Sequence, residues 1–123
     1  MSLPGNASTY HVLSRERIAL LSENAVVLNV GRGTAIDKDA LADALSAGKI
    51  AGAALDVTDP EPLPADHRLW NAPNLLITPH VSGGFSLPET LEKIVALFAD
   101  NLERYFAGQP IENLVNLQTG YRE

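Results

Sequence analysis

Residues 25–30 read Ala-Val-Val-Leu-Asn-Val, a nearly continuous apolar and β-branched run bounded by Asn24 and by Gly31-Arg32-Gly33. Such a run suits a strand of a parallel sheet that is buried on both faces. Two more runs follow. Residues 51–57 (Ala-Gly-Ala-Ala-Leu-Asp-Val) are rich in small side chains that permit close packing of helices, and residues 75–78 (Leu-Leu-Ile-Thr) are stopped by Pro79. Helical signals alternate with these runs. Ser14 is the expected N-cap of a short helix over 15–22, with Ile18 and Leu21 on one face. Asp37 is the expected N-cap of a helix through Ala47, with Leu41 and Leu45 at i,i+4 and Gly48 as its stop.

Strand, helix, strand, loop, strand, helix is the order that builds an α/β parallel sheet with right-handed crossovers. The three strands then point the same way. Their carboxyl ends bring Gly31-Arg32-Gly33, Asp56 and His80 to one edge, where α/β sheets bind ligands. The connection over 58–74 carries Pro60, Pro62, Pro64 and Pro73, which predicts a stiff, ordered loop of the length that is often functional. Ser86-Leu-Pro-Glu89 matches a capping box with Pro88 in the first turn. The helix beyond it carries Leu91, Ile94, Val95, Phe98, Leu102, Tyr105 and Phe106 on one stripe of 3.6 period, read most simply as core, with a subunit interface as the alternative. Gly108 and Pro110 end that helix, and residues 111–123 show no clear period.

The 123 residues suffice for one domain with a real core, and a 46% apolar content argues against disorder. A net charge of −6 with no Lys/Arg cluster disfavours nucleic acid and anionic membrane surfaces. With no cysteine and three histidines, disulfides and thiol catalysis are excluded and a metal site is not expected. No apolar run approaches the roughly 20 residues of a membrane span, so a soluble cytoplasmic chain is expected.

Chemistry concentrates on few side chains. His80, at the end of the third run, has the one side chain whose ordinary pKa suits proton exchange near neutrality. Taken alone, it is more often structural than catalytic. Arg32 can hold a carboxylate by two parallel hydrogen bonds, or be a surface arginine in a glycine turn. Asp56 calls for a polar partner, which can be a ligand amide, a backbone N–H or a solvent-filled edge. Asp59 and Glu61 are solvated turn acids, or one of them is a carboxylate held against His80 that orients the ring for proton transfer. Gly31-x-Gly33 lacks a third glycine at the dinucleotide spacing, so it does not by itself read as a phosphate cradle.

Four stretches, in order and at matching spacing, resemble the NAD(P)-dependent D-isomer-specific 2-hydroxyacid dehydrogenases. They are residues 3–9, residues 29–34 (Asn-Val-Gly-Arg-Gly-Thr), residues 54–63 (Ala-Leu-Asp-Val-Thr-Asp-Pro-Glu-Pro-Leu) and residues 77–83 (Ile-Thr-Pro-His-Val-Ser-Gly). The resemblance implies the carboxyl-terminal half of a Rossmann-like doubly wound sheet, with NAD or NADP as cofactor. A small 2-keto or 2-hydroxy acid such as glyoxylate or hydroxypyruvate is the implied substrate. It further implies that Arg32 binds the substrate carboxylate, that Glu61 pairs with His80, and that His80 gives the carbonyl oxygen its proton. Pro4, Thr9, Gly31, Asp56, His80 and Gly83 are expected along the cofactor.

The family's Gly-x-Gly-x-x-Gly turn and most of its substrate domain are not in this sequence. The reading is therefore of residues 1–108 as the later part of a dinucleotide-binding domain, with 109–123 returning to a substrate domain. The first strand is expected to have an unpaired edge, and the chain alone to be inactive. The family's members form dimers, so a homodimer is expected. A non-catalytic NAD-binding or interaction module on the same scaffold is the alternative.

Overall fold

A computed structural model describes residues 1–85 and 87–122, in two units, Met1–Ser82 and Gly83–Glu123. In the first unit, helix α1 (Arg15–Ala19), strand β1 (Val26–Asn29), helix α2 (Lys38–Ser46), strand β2 (Gly52–Leu55) and strand β3 (Leu75–Ile77) follow in order. Short 3-10 turns occupy Gly33–Ala35 and Arg68–Asn71. The sheet is parallel throughout, in the order β1-β2-β3, with Leu28 opposite Ala54 and Ala54 opposite Leu76. The three runs are the three strands, each trimmed by a residue or more at one or both ends.

Helix α2 begins as its sequence requires, because the Asp37 carboxylate accepts the Ala40 N–H at 2.9 Å. It ends at Ser46, and Gly48 just beyond the Ala47 cap takes the left-handed φ of 65° that costs glycine little. Helix α1 departs from expectation. Ser14 occupies the N-cap position but makes no side-chain cap, because its hydroxyl donates to Glu16 at 2.6 Å. The helix also stops at Ala19 and not at Ser22.

The core lies on one side of the sheet. Val27, Ala53 and Leu55 pack with Ile18, Ile36, Leu41, Leu45 and Ile50, and Leu41 is fully buried. The expectation that β1 is buried on both faces is corrected. Val27 and Asn29 are buried, whereas Val26 and Leu28 are exposed, together with Leu76 of β3. The covering helices lie only against the Val27 face, so the opposite apolar face stays open. Nor is the outer edge of β1 bare. The Met1 ammonium donates to the Leu28 carbonyl, and the Val30 N–H donates to the Met1 carbonyl at 2.9 Å.

In the second unit, helix α3 (Pro88–Phe106) has Leu87 at its N-cap without a side-chain cap. The capping-box serine, Ser86, lies outside the described residues. The tail turns back on α3, where Asn101 exchanges two hydrogen bonds with the Glu112 backbone and Arg104 pairs with the Glu112 carboxylate at 2.7 Å. The expected core stripe is not a core here. No residue of α3 is buried, and among the described residues its own unit holds no second helix or strand to lie against.

Candidate active site

The carboxyl ends of the three strands meet, as their parallel order demands. Asp56 and Thr78 continue the ladder just beyond β2 and β3, donating to Asn29 and Leu55 carbonyls at 2.9 Å. At the exit of β1, buried Asn29 ties the turn. Its Nδ2 donates to the Arg32 carbonyl at 2.9 Å and its Oδ1 accepts the Gly31 N–H at 3.1 Å. Gly33 is needed for packing more than for turning. A methyl group there would lie 2.1 Å from the carbonyl carbon and oxygen of Thr58, so the loop after β2 runs hard against it.

That loop supplies Glu61, and the peptides before Pro60 and Pro62 are both cis. One Glu61 oxygen accepts the Thr58 N–H at 2.9 Å, and the other meets His80 Nδ1 at 2.8 Å. An ionised carboxylate only accepts, so Nδ1 carries the proton in this pair and Nε2 is left for a ligand. The His80 side chain is about half exposed, at 50%, and its backbone sits at a φ of 55°, where non-glycine residues are uncommon.

Behind the pair is a cavity of about 230 Å³ lined by Asp56, Glu61, Leu63, Trp70, Ile77 and His80, among others. Trp70 is held there by its indole N–H, which donates to the Pro64 carbonyl at 2.9 Å. Arg68, its neighbour, reaches α2 through ion pairs to Asp39 and Asp43, and Asp43 also holds Arg15 at 2.7 Å. His67 Nδ1 accepts the Leu69 N–H at 3.2 Å and Nε2 lies 3.4 Å from Asp39, so it serves the same surface network. His11 stacks on Tyr10, with ring centroids 4.1 Å apart. Among the described residues no His, Asp and Glu group is arranged to hold a metal.

Asp56 is 5% exposed and finds its partners within the chain. The Ser82 and Thr78 hydroxyls, with the N–H groups of Val81 and Ser82, hold its carboxyl well below the usual carboxylate range. Its bonds from the two N–H groups are 3.0 and 2.8 Å. Of the partners open to it on sequence, the structure selects backbone N–H groups and adds two hydroxyls. Glu61 is lowered as well, by His80 first and by the Thr58 N–H, against the effect of partial burial.

Both shifts run in the sense that stabilises the fold above the ordinary carboxylate pKa of about 4 and is lost as pH falls through and below it. The urea midpoint should therefore hold from about pH 7 to 5 and drop at lower pH, with Asp56→Asn giving a shallower acid limb. Parallel limbs for the two proteins would contradict this placement of Asp56.

The remaining expected residues are distributed as follows. Arg32 stands at the same edge but does not line the cavity; its Nη1 donates to the Gly31 carbonyl at 2.9 Å, and its stem lies over Gly5. Gly31 abuts the backbone of Ser2 and Leu3, the residues just before Pro4, and the Thr9 hydroxyl donates to the Pro4 carbonyl at 2.6 Å. Gly83 falls in the second unit. Sequence reasoning passed over Asn29, Thr58, Thr78, Ser82 and Trp70. Asn29 was the most visible of them, as the single polar residue in an apolar run.

Comparison with known proteins gives a consistent result. Residues 1–82 match the family model described as D-isomer specific 2-hydroxyacid dehydrogenase, NAD binding domain. The chain is 42% identical over 118 residues to glyoxylate/hydroxypyruvate reductase B of Pectobacterium atrosepticum, a match covering 96% of this chain and 36% of that protein. A D-isomer specific 2-hydroxyacid dehydrogenase from Xanthobacter autotrophicus, solved with NADPH, superposes with a TM-score of 0.82 at 38% identity, covering 98% of this chain and 48% of that one. An NADPH-dependent glyoxylate/hydroxypyruvate reductase from Sinorhizobium meliloti, solved with NADP and sulfate, gives 0.81 at 29% identity, covering 98% and 38%. The chain spans little more than a third of the length of the curated relatives it matches.

Proposed function

This chain belongs to the D-isomer-specific 2-hydroxyacid dehydrogenase family, and from that premise we propose that it forms part of an oxidoreductase acting on a small 2-keto acid with NAD(P)H. The observation that carries the reading is the Glu61–His80 pair at 2.8 Å, with the second Glu61 oxygen fixed by Thr58. A carboxylate on Nδ1 orients the imidazole, so that Nε2 delivers a proton to the carbonyl oxygen in reduction and removes it in the reverse direction.

Arg32 binds the substrate carboxylate, which requires its guanidinium to exchange the Gly31 carbonyl for the ligand. The bound nicotinamide supplies the hydride. Pro4, Thr9, Gly31, Asp56, His80 and Gly83 line the cofactor in this reading. The residues present fit its nicotinamide end, where an exposed imidazole adjoins a cavity walled by Trp70, Leu63 and Ile77. A glycine-rich turn opening a helix, the usual pyrophosphate cradle, is not among the 123 residues. Residues 1–108 then serve the cofactor, 109–123 return toward a substrate domain, the protein works as a cytoplasmic homodimer, and the isolated chain is inactive.

A second reading, a non-catalytic NAD-binding or interaction module on this scaffold, is favoured by one observation: Arg32 bonds its own backbone and stays out of the cavity. Assay of the full-length protein with glyoxylate, hydroxypyruvate and pyruvate, using NADH and NADPH, separates the two. Turnover at ordinary enzyme rates, about 1–10³ per second, supports the oxidoreductase, and its absence with all pairs supports the module. Calorimetry should find no tight NAD binding to the 123-residue chain; micromolar binding would contradict that part of the reading.

A further inference from the structure

Two residues at the exit of β2, Asp56 and Thr58, control both halves of the Glu61–His80 pair. Thr58, two residues beyond Asp56, fixes Glu61 through its N–H at 2.9 Å. Asp56 itself never touches His80; it grips the residues on either side. Thr78 donates its hydroxyl from the amino-terminal side, and Val81 and Ser82 donate their N–H groups from the other, at 3.0 and 2.8 Å. A carboxylate offers about four lone-pair sites, and these donors occupy three of them.

The segment so gripped is strained. His80 is left-handed at a φ of 55°, a conformation that L side chains enter at a cost, and its N–H folds back on the Thr78 carbonyl at 3.0 Å. A strained turn persists only where its surroundings over-determine it, and Asp56 supplies three of the constraints. The same turn directs the imidazole at Glu61.

We propose that Asp56 is a positioning residue that holds residues 78–82 in the turn presenting His80 to Glu61, whether or not a cofactor is bound. This assignment rests on His80 being the proton donor only for its consequence in turnover; its structural content stands apart from the reaction. Asp56→Asn keeps the shape but replaces one acceptor oxygen with a donor NH₂ facing donors, so the turn should relax and the ring should leave Glu61. Because misplacing a catalytic group by about 1 Å can cost on the order of 10²-fold, kcat of the full-length protein should fall about that much. KM for the keto acid should change less than about twofold, since Arg32 is untouched.

The test is heteronuclear NMR of the 123-residue chain, reading the His80 ring nitrogens and the exchange rates of the Val81 and Ser82 amides, with Glu61→Gln as reference. Asp56→Asn should move the His80 Nδ1 signal toward that of Glu61→Gln and speed exchange at Val81 and Ser82 at least about tenfold, while β1 amides keep their rates. A ring signal and amide rates unchanged from wild type would overturn the proposal. If Asp56→Asn does not fold, Thr78→Val answers in its place: it keeps the carboxylate and removes one donor, and should produce the same changes in smaller degree. An unchanged His80 signal there would also overturn it. If the full-length protein shows no keto-acid reduction, the functional reading fails, yet the NMR result still decides the role of Asp56.

Discussion

Replacing His80 by glutamine should lower kcat/KM for a small 2-keto acid by roughly 10²–10⁴-fold in the full-length protein, the range that general acid–base help is worth. Glutamine approximates the reach of the ring and can still donate to Glu61, so the turn at residues 78–82 has no reason to collapse. What it lacks is the second nitrogen able to hand over a proton, the atom that the Glu61 bond leaves free in wild type. The variant should keep the wild-type unfolding free energy within about 1 kcal/mol in urea titration, because the side chain is half exposed. Steady-state assays with either nicotinamide cofactor read the loss. Activity within a fewfold of wild type would remove His80 from the role.

Gly33→Ala carries the other large effect. The added methyl would sit 2.1 Å from Thr58 backbone atoms and 2.6 Å from the Asp59 nitrogen, distances at which one segment must move. Backbone cannot swing aside as a flexible side chain does, so the cost should reach about 3 kcal/mol or more, beyond ordinary overpacking. Denaturant unfolding measures it. Function should suffer too, since displacing Thr58 withdraws the N–H that anchors Glu61. A stability loss under about 1 kcal/mol would show that the loop yields easily and that Gly33 is not set by this contact.

Gly33 also shows what a sequence displays and what it conceals. A glycine beside an arginine at a strand end reads naturally as a turn that approaches a ligand. Its actual neighbour is the chain itself, 25 residues further on, and no local pattern announces that. The three strands and the Asp37 cap were legible because their causes are local: β-branched runs, and a carboxylate three residues from the N–H it accepts. Ser14 failed as a cap through an equally local competitor, Glu16.

Burial was harder to read. The residues of 25–30 are apolar on both faces, but which face is covered depends on where α1 and α2 pack, and they cover only the side of Val27. The stripe on α3 has a clean period, yet period fixes a face and not its partner. In the site, His80 stood out at a strand end and the loop acids as its possible partners; resemblance selected Glu61, and the structure brings the two together. Asp56 was visible as an acid needing partners, but its donors lie 22 to 26 residues away, so their identity emerged only from the fold. Arg32 reached the expected edge without reaching the cavity.

The central claim is that Glu61 and His80 act as one unit in proton transfer, and a double-mutant cycle tests it most directly. Glu61→Gln, His80→Gln and the pair are to be compared by kcat/KM in the full-length protein. If Glu61 works through His80, its substitution should cost at least about tenfold when His80 is present and less than about twofold when His80 is already glutamine. Equal losses in both backgrounds, with the two effects simply multiplying, would contradict the account.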